Sequence, residues 1–270
     1  DERDACGTGF VADRRGHKSH DVLTDALTAV CNLEHRGAVS PDGKSSDGAG
    51  VMTQLPVDLF DGVDADRFGL GMFFMPDEAR ARESIERRIE SGLERLDLEP
   101  LRWRDVPFED GLLGDSQREE APTVRQLLLH RPASLAESDF ERRLFLARRR
   151  VERDVDRRDF SVPSLSGRTV VYKGLVVPEL LPELYPDLAN PDYRTAIAVF
   201  HQRFSTNTMP TWARAQPLRF LAHNGEINTL LGNINAMRAR QPVLESSVFG
   251  DDLDDLLPVL PTDVSDSMAL

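Results

Sequence analysis

Two runs, FGLGMFFM (residues 68–75) and RTVVYKGLVV (residues 168–177), are apolar on both faces of any extended backbone. That property constrains the fold more than any other feature of the chain. A strand with two apolar faces must be covered on both sides, so these runs predict a buried sheet. Further strand candidates are GTGFVA (7–12), GAGVMTQL (48–55), PLRWRDV (100–106), VRQLLLH (124–130), TAIAVFHQRF (195–204) and LRFLAH (218–223). Between them lie helical patterns. Val22, Leu23, Ala26, Leu27, Val30 and Leu33 recur at helical spacing, with Ser19 and Asp21 suited to the start. Asp77 to Leu96 carries an Ile85, Ile89, Leu93 stripe, and Asp139 to Val155 and Ile227 to Arg240 also read as helices. Strands and helices mix without regular βαβ alternation, which favours stacked sheets flanked by helices. Glu109 to Ala121 and GDDLDDLLPVLPTD (250–263) are the segments expected to be most flexible.

Charge removes several classes of function. The formal net charge is -13, and lysine occurs only at Lys18, Lys44 and Lys173. Such an acidic surface repels a phosphate backbone, so a nucleic-acid partner is not expected. No apolar run approaches the roughly 18 residues of a membrane-spanning helix, and the opening residues are charged where a signal peptide is apolar, so the reading is cytoplasmic. With only Cys6 and Cys31, neither a disulfide framework nor a cysteine zinc site is expected. The aspartates 251, 252, 254 and 255 lack the glycine turn and distal glutamate of a calcium loop, and read as a solvated loop or helix start. GTGFVA formally fits a dinucleotide fingerprint. Only six residues precede Gly7, however, and the run leads into DRRGH rather than opening a helix.

Two apolar strands end abruptly in polar residues: AVFHQRFSTNT in His201, Gln202, Arg203, Ser205, Thr206, Asn207 and Thr208, and LRFLAHNGEINTL in His223, Asn224, Gly225 and Glu226. Polar groups discharged at two strand ends predict a shared pocket. The rigid fork of Arg203 matches a free carboxylate. The Asn224 side-chain amide and the Gly225 N–H offer two donors to an oxyanion. An Asn-Gly pair also makes hairpin turns, but a helix rather than a strand is expected to follow it here. Cys6 is the natural nucleophile. It can be activated by a histidine brought near through the fold. It can also carry its own base, since an α-amine of pKa about 7.7–8.0 would lie beside the thiol if Cys6 were residue one.

CGTGFVAD, CNLEHRGA, DGAG, SGRTVVYKG, HQRFSTNT and AHNGEINTLLGN, in this order, resemble the class II glutamine amidotransferase domain at the N-terminus of glutamate synthase large subunits. The resemblance runs from Cys6 to the last residue and is least diagnostic between about Phe60 and Asp159. It implies an α+β fold, the four-layer αββα sandwich of two antiparallel sheets found in N-terminal-nucleophile hydrolases. It implies hydrolysis of L-glutamine to glutamate and ammonia through a cysteinyl thioester. Cys6 would be the nucleophile, its α-amine the base, and Asn224 and Gly225 the oxyanion hole. Arg203 would hold the substrate carboxylate and Asp266 its α-amine, while Arg36, with Gly37, and Thr206 would support the substrate pocket. His35, His201 and His223 are expected to be structural. No cofactor is implied for this segment; FMN and an iron–sulfur cluster are expected in the rest of the family enzyme, whose flavin-containing synthase domain or subunit receives the ammonia.

The DERDA prefix (residues 1–5) reads as a short propeptide or upstream remnant, and residues 6–270 as the amidotransferase domain, truncated at its C-terminus. While the prefix is attached, the nitrogen of Cys6 is an amide and no base. Two other readings are a non-catalytic glutamine-binding module whose N-terminus is never processed, and another N-terminal-nucleophile amide hydrolase.

Overall fold

The computed structural model describes residues 7–37, 39–202, 209–219, 221, 223, 229–260 and 264–269, with the Arg36 and Asp266 side chains left undescribed. In chain order the elements are β1 (Thr8–Ala12), α1 (His20–Cys31), β2 (Ser45–Gln54), β3 (Phe68–Met75), α2 (Ala79–Glu94), β4 (Glu99–Asp105), α3 (Asp115–Glu119), β5 (Thr123–His130), α4 (Glu137–Asp154), β6 (Ser161–Ser166), β7 (Thr169–Val176), α5 (Leu181–Leu184), β8 (Ile197–Gln202), α6 (Leu230–Arg240) and α7 (Asp266–Ala269). The strands form two antiparallel four-stranded sheets, ordered β1-β8-β2-β7 and β4-β5-β3-β6.

The doubly apolar runs became β3 and β7, and both are covered on two sides. Leu70, Met72 and Phe74 of β3 share a buried cluster with Val51 of β2 and with Val170 and Tyr172 of β7, which is the seam between the sheets. Phe73 and Met75 instead join Ile85, Ile89 and Leu93 of α2 and Phe140, Leu144 and Ala147 of α4, on the outer face of the second sheet. Each such side chain contributes about 1.5–3 kcal/mol on burial. Helix α1 buries Val22, Leu23, Ala26, Leu27 and Val30 in the same cluster as Val51, Tyr172 and Phe200 of the first sheet, and Ser19 Oγ caps it by accepting from Val22 N at 3.4 Å. Two four-stranded antiparallel sheets with helices packed against them are the α+β arrangement that the resemblance implies.

The structure departs from the expected elements at three places. Ser161–Ser166, a strand, escaped recognition because serines and a proline disguise it. Ser164 is fully buried and its Oγ accepts from Val171 N at 3.2 Å, while Ser166 Oγ donates to Glu141 of α4. LRFLAH does not form a strand among the described residues; Leu218 and Leu221 make an isolated bridge, and residues 220 and 222 lie outside the description. The acidic GDDLDDL segment is a 3-10 helix (Gly250–Leu256), the helical one of its two readings, and its aspartates are partly paired instead of all solvated. Arg142 of α4 donates to Asp252 at 3.1 Å, Arg150 Nε donates to Asp255 at 2.9 Å, and Leu256 is buried.

Between the sheets lies a closed polar network. Arg104 of β4 grips Asp187 bidentately at 2.7 and 2.6 Å and also donates to Gln126 Oε1 of β5. Gln126 Nε2 donates to the Tyr172 hydroxyl at 2.9 Å, and that hydroxyl donates to Asp187 at 2.8 Å. Burial, then the neighbouring Tyr193 and Asp187, push the Tyr172 phenol well above its ordinary range, so it stays a donor. Removing the carboxylate would strand the guanidinium and the hydroxyl. Asp187→Ala is expected to cost about 3–5 kcal/mol in urea unfolding at pH 7; an unchanged midpoint would show that the network does not hold the sheets.

Candidate functional site

Cys6, Arg203, Thr206, Asn224 and Gly225 lie outside the described residues, and for Arg36 and Asp266 only the backbone is described. What the structure places are the residues next to them in the chain. In the β1–β8 pairing Thr8 faces His201, and beyond it Gln202 N donates to Gly7 O at 2.7 Å. The chain neighbours of Cys6 and Arg203 are thus hydrogen-bonded to each other. The fully buried Gln202 side chain reaches sideways, its Nε2 donating to Glu34 O at 3.2 Å in the turn Glu34–Arg36. A Cβ on Gly37 would come within 2.8 Å of that same Nε2, so the glycine after Arg36 makes room for the Gln202 amide. Gln202 Oε1 is buried with no hydrogen-bond partner among the described residues.

Histidines continue the chain of contacts. His201 Nε2 donates to His223 O at 2.9 Å, and His223 Nε2 lies 2.9 Å from Ser267 Oγ. Ser267 Oγ also accepts from Gln216 Nε2 at 3.3 Å. His223 precedes Asn224 and Ser267 follows Asp266, so the neighbours of five expected site residues fall in one connected cluster at the strand ends. His201 and His223 are hydrogen-bonded, as a structural role requires. Thr206 and Gly225 have no described neighbour.

The segment 209–219 closes this cluster from above, and the glycines of DGAG explain how it comes so near. Gly48 has φ +117, in the region that favours glycine, and a Cβ there would meet Gly174 O and Ala215 Cβ at 3.2 Å. A Cβ on Gly50 would stand 2.5 Å from Gln216 O and 2.7 Å from Lys173 Cβ. The motif is therefore a place of backbone approach. Trp212 anchors the segment in the core, edge-on to Phe74 and Phe108 at 5.8 and 5.9 Å.

Lys173 and Gln216 were not among the expected site residues. The signal for Lys173 was present, since it is the lone charge inside the apolar run of β7. It is 2 % exposed, and its Nζ donates to Ala213 O at 2.8 Å and Ala215 O at 2.7 Å. Burial, reinforced by Arg148 and partly offset by Glu152, pushes its ammonium from 10.5 down to about 7. Cys31, the one thiol among the described residues, is pushed up to about 11 by burial and the charge of Glu179. No group of three or more histidine, cysteine, aspartate or glutamate side chains able to hold a metal occurs among the described residues, and none of the described helices is long and apolar enough to cross a membrane.

The family description "Glutamine amidotransferases class-II" matches residues 6–270, and the chain belongs to that family. The two stacked antiparallel sheets between helices are its N-terminal-nucleophile hydrolase sandwich. Within the family the chain is similar to glutamate synthases. It is 45% identical to ferredoxin-dependent glutamate synthase 2 of Synechocystis, 41% to the glutamate synthase [NADPH] large chain of Bacillus subtilis and 40% to glutamate synthase [NADH] of Saccharomyces cerevisiae. All of this chain is covered in each case, against 18%, 18% and 13% of the relative. The chain thus spans less than a fifth of the length of these relatives.

The Lys173 ionisation predicts a pH effect. Between about pH 7 and 10.5 the unfolded chain holds a proton on this amine that the folded chain has released, so stability gains with pH across that window. The stability difference between wild type and Lys173→Met should therefore shift in favour of wild type from pH 7 to pH 9.5 in urea titrations. A flat difference would place the ionisation elsewhere.

Proposed function

We infer that this chain is the glutaminase part of a glutamate synthase and hydrolyses the side-chain amide of L-glutamine. The observation that carries the reading is the connected cluster of Gly7, Gln202, Gly37, His223 and Ser267, joined by hydrogen bonds through Glu34 O and His201. These are the chain neighbours of Cys6, Arg203, Arg36, Asn224 and Asp266. With residues 1–5 removed, the α-amine of Cys6 accepts the thiol proton as sulfur attacks the amide carbon. Asn224 and Gly225 donate to the developing oxyanion, and the protonated amine passes its proton to the leaving ammonia. Water then attacks the thioester, which releases glutamate and restores the thiol. Arg203 grips the substrate α-carboxylate and Asp266 its ammonium, with Arg36 and Thr206 lining the pocket.

In this reading the ammonia passes to a synthase module that makes glutamate from 2-oxoglutarate. That module, on the same or another polypeptide, would carry FMN and an iron–sulfur cluster. The soluble substrates fit a cytoplasmic enzyme.

Of the two cysteines, Cys31 is held as a neutral thiol at physiological pH. A glutamine-analogue electrophile at pH 7.5 is therefore expected to label Cys6 alone in protein cut before Cys6, and excess glutamine should block it. Cys6→Ser should abolish glutamate release, and Asn224→Ala should lower it about 10²-fold or more. An N-terminus that still reads DERDA in active protein, or full turnover by Cys6→Ser, would sink the mechanism.

A further inference from the structure

The loop that links the two polar strand ends is held by the buried lysine nitrogen of Lys173. β8 ends at Gln202, beside Arg203, and the chain reaches His223, beside Asn224, through residues 209–219. Three attachments hold that stretch. Trp212 packs into the core against Phe74, Phe108 and Gly174. Lys173 Nζ donates to the carbonyls of Ala213 and Ala215. Gln216, the next residue, donates to Ser267 Oγ, which also meets the His223 ring. A turn in which Arg214 N and Ala215 N both bond Thr211 O aims the two carbonyls at the Lys173 nitrogen.

We propose that Lys173 is a positioning residue for the glutamine site, acting through Ala215 and Gln216 on the backbone beside Asn224 and Asp266. It rests on the functional reading above.

A lysine needed only to fill space would be out of place here. The side chain is surrounded by core, and an apolar residue of similar length would avoid the desolvation that burial of an ammonium imposes. Arg148 and Glu152 of α4 are the charges that act on it, and neither is hydrogen-bonded to it. Among the described residues, its side-chain hydrogen bonds go to the loop alone. The Gly50 contact closes the remaining space: with the Gln216 carbonyl over Gly50, the loop cannot sink further toward β2, and the Lys173 N–H donors keep it from lifting. Gln216, itself 4 % exposed, is thereby kept within reach of Ser267.

The test uses Lys173→Met, Gln216→Ala and the double variant in the full polypeptide, cut before Cys6. Lys173→Met keeps the stem length and removes the donors. It is expected to stay folded, with a melting temperature near that of wild type, and to lose about 10- to 100-fold in kcat/KM for glutamine. Gln216→Ala should lose a similar factor, and the double variant should lose no more than the worse single variant, because both act along one route. A merely structural lysine would give no such coupling in kcat/KM. Wild-type kcat/KM in folded Lys173→Met, or losses that multiply in the double variant, would overturn the proposal. Amide hydrogen exchange supplies a readout independent of turnover: residues 211–219 should exchange faster in Lys173→Met, and unchanged exchange there overturns the clamp. If wild type itself releases no glutamate, the functional reading fails, and exchange still decides whether Lys173 holds the loop.

Discussion

The pairing of β8 on both edges is the constraint from which the rest of the site follows. β8 lies between β1 and β2, so its register is set twice, by Phe200 opposite Gly9 on one side and by Phe200 opposite Val51 on the other. A one-residue slip would move every apolar side chain to the wrong face in both ladders at once. Because that register is so firmly held, His201 and Gln202 emerge at a defined place, and Gly7 meets Gln202 there. The Glu34–Arg36 turn, His223 and Ser267 then join by hydrogen bonds that begin at β8.

Much of the fold was legible in the sequence where one signal dominated. Doubly apolar runs announced β3 and β7, and the Ile85, Ile89, Leu93 stripe announced α2, because burial on two faces or one stripe leaves a direct trace in residue type. What was not legible depended on partners distant in the chain. Ser164 and Ser166 look like loop residues until β7 and Glu141 supply their hydrogen bonds. Asp252 and Asp255 look solvated until the arginines of α4 are set beside them.

The candidate site divides in the same way. Residue chemistry pointed to Cys6, Arg203 and Asn224 without any knowledge of the fold, because a thiol, a guanidinium and an Asn-Gly pair have distinct uses. Arg36, Thr206 and Asp266 entered through family resemblance. Lys173 was marked only as a lone charge in an apolar run, which does not say what it holds, and Gln216 was not marked at all. The glycines of DGAG belong with them: their meaning lies in the Gln216 and Lys173 atoms that would meet a Cβ.

Beside the arginines of α4 that bind Asp252 and Asp255, Arg149 of the same helix donates to the carbonyls of Pro258 and Val259. The polypeptide from there to Ser267 is consequently tethered by two kinds of bond. At its near end the ties are between partly exposed charges, and salt weakens these: at 1 M ionic strength the screening length falls to about 3 Å. At its far end Ser267 Oγ accepts a buried hydrogen bond from the neutral Gln216 amide, to which salt is indifferent. Ionic strength is therefore a lever that acts on one end of this C-terminal strap and leaves the other in place.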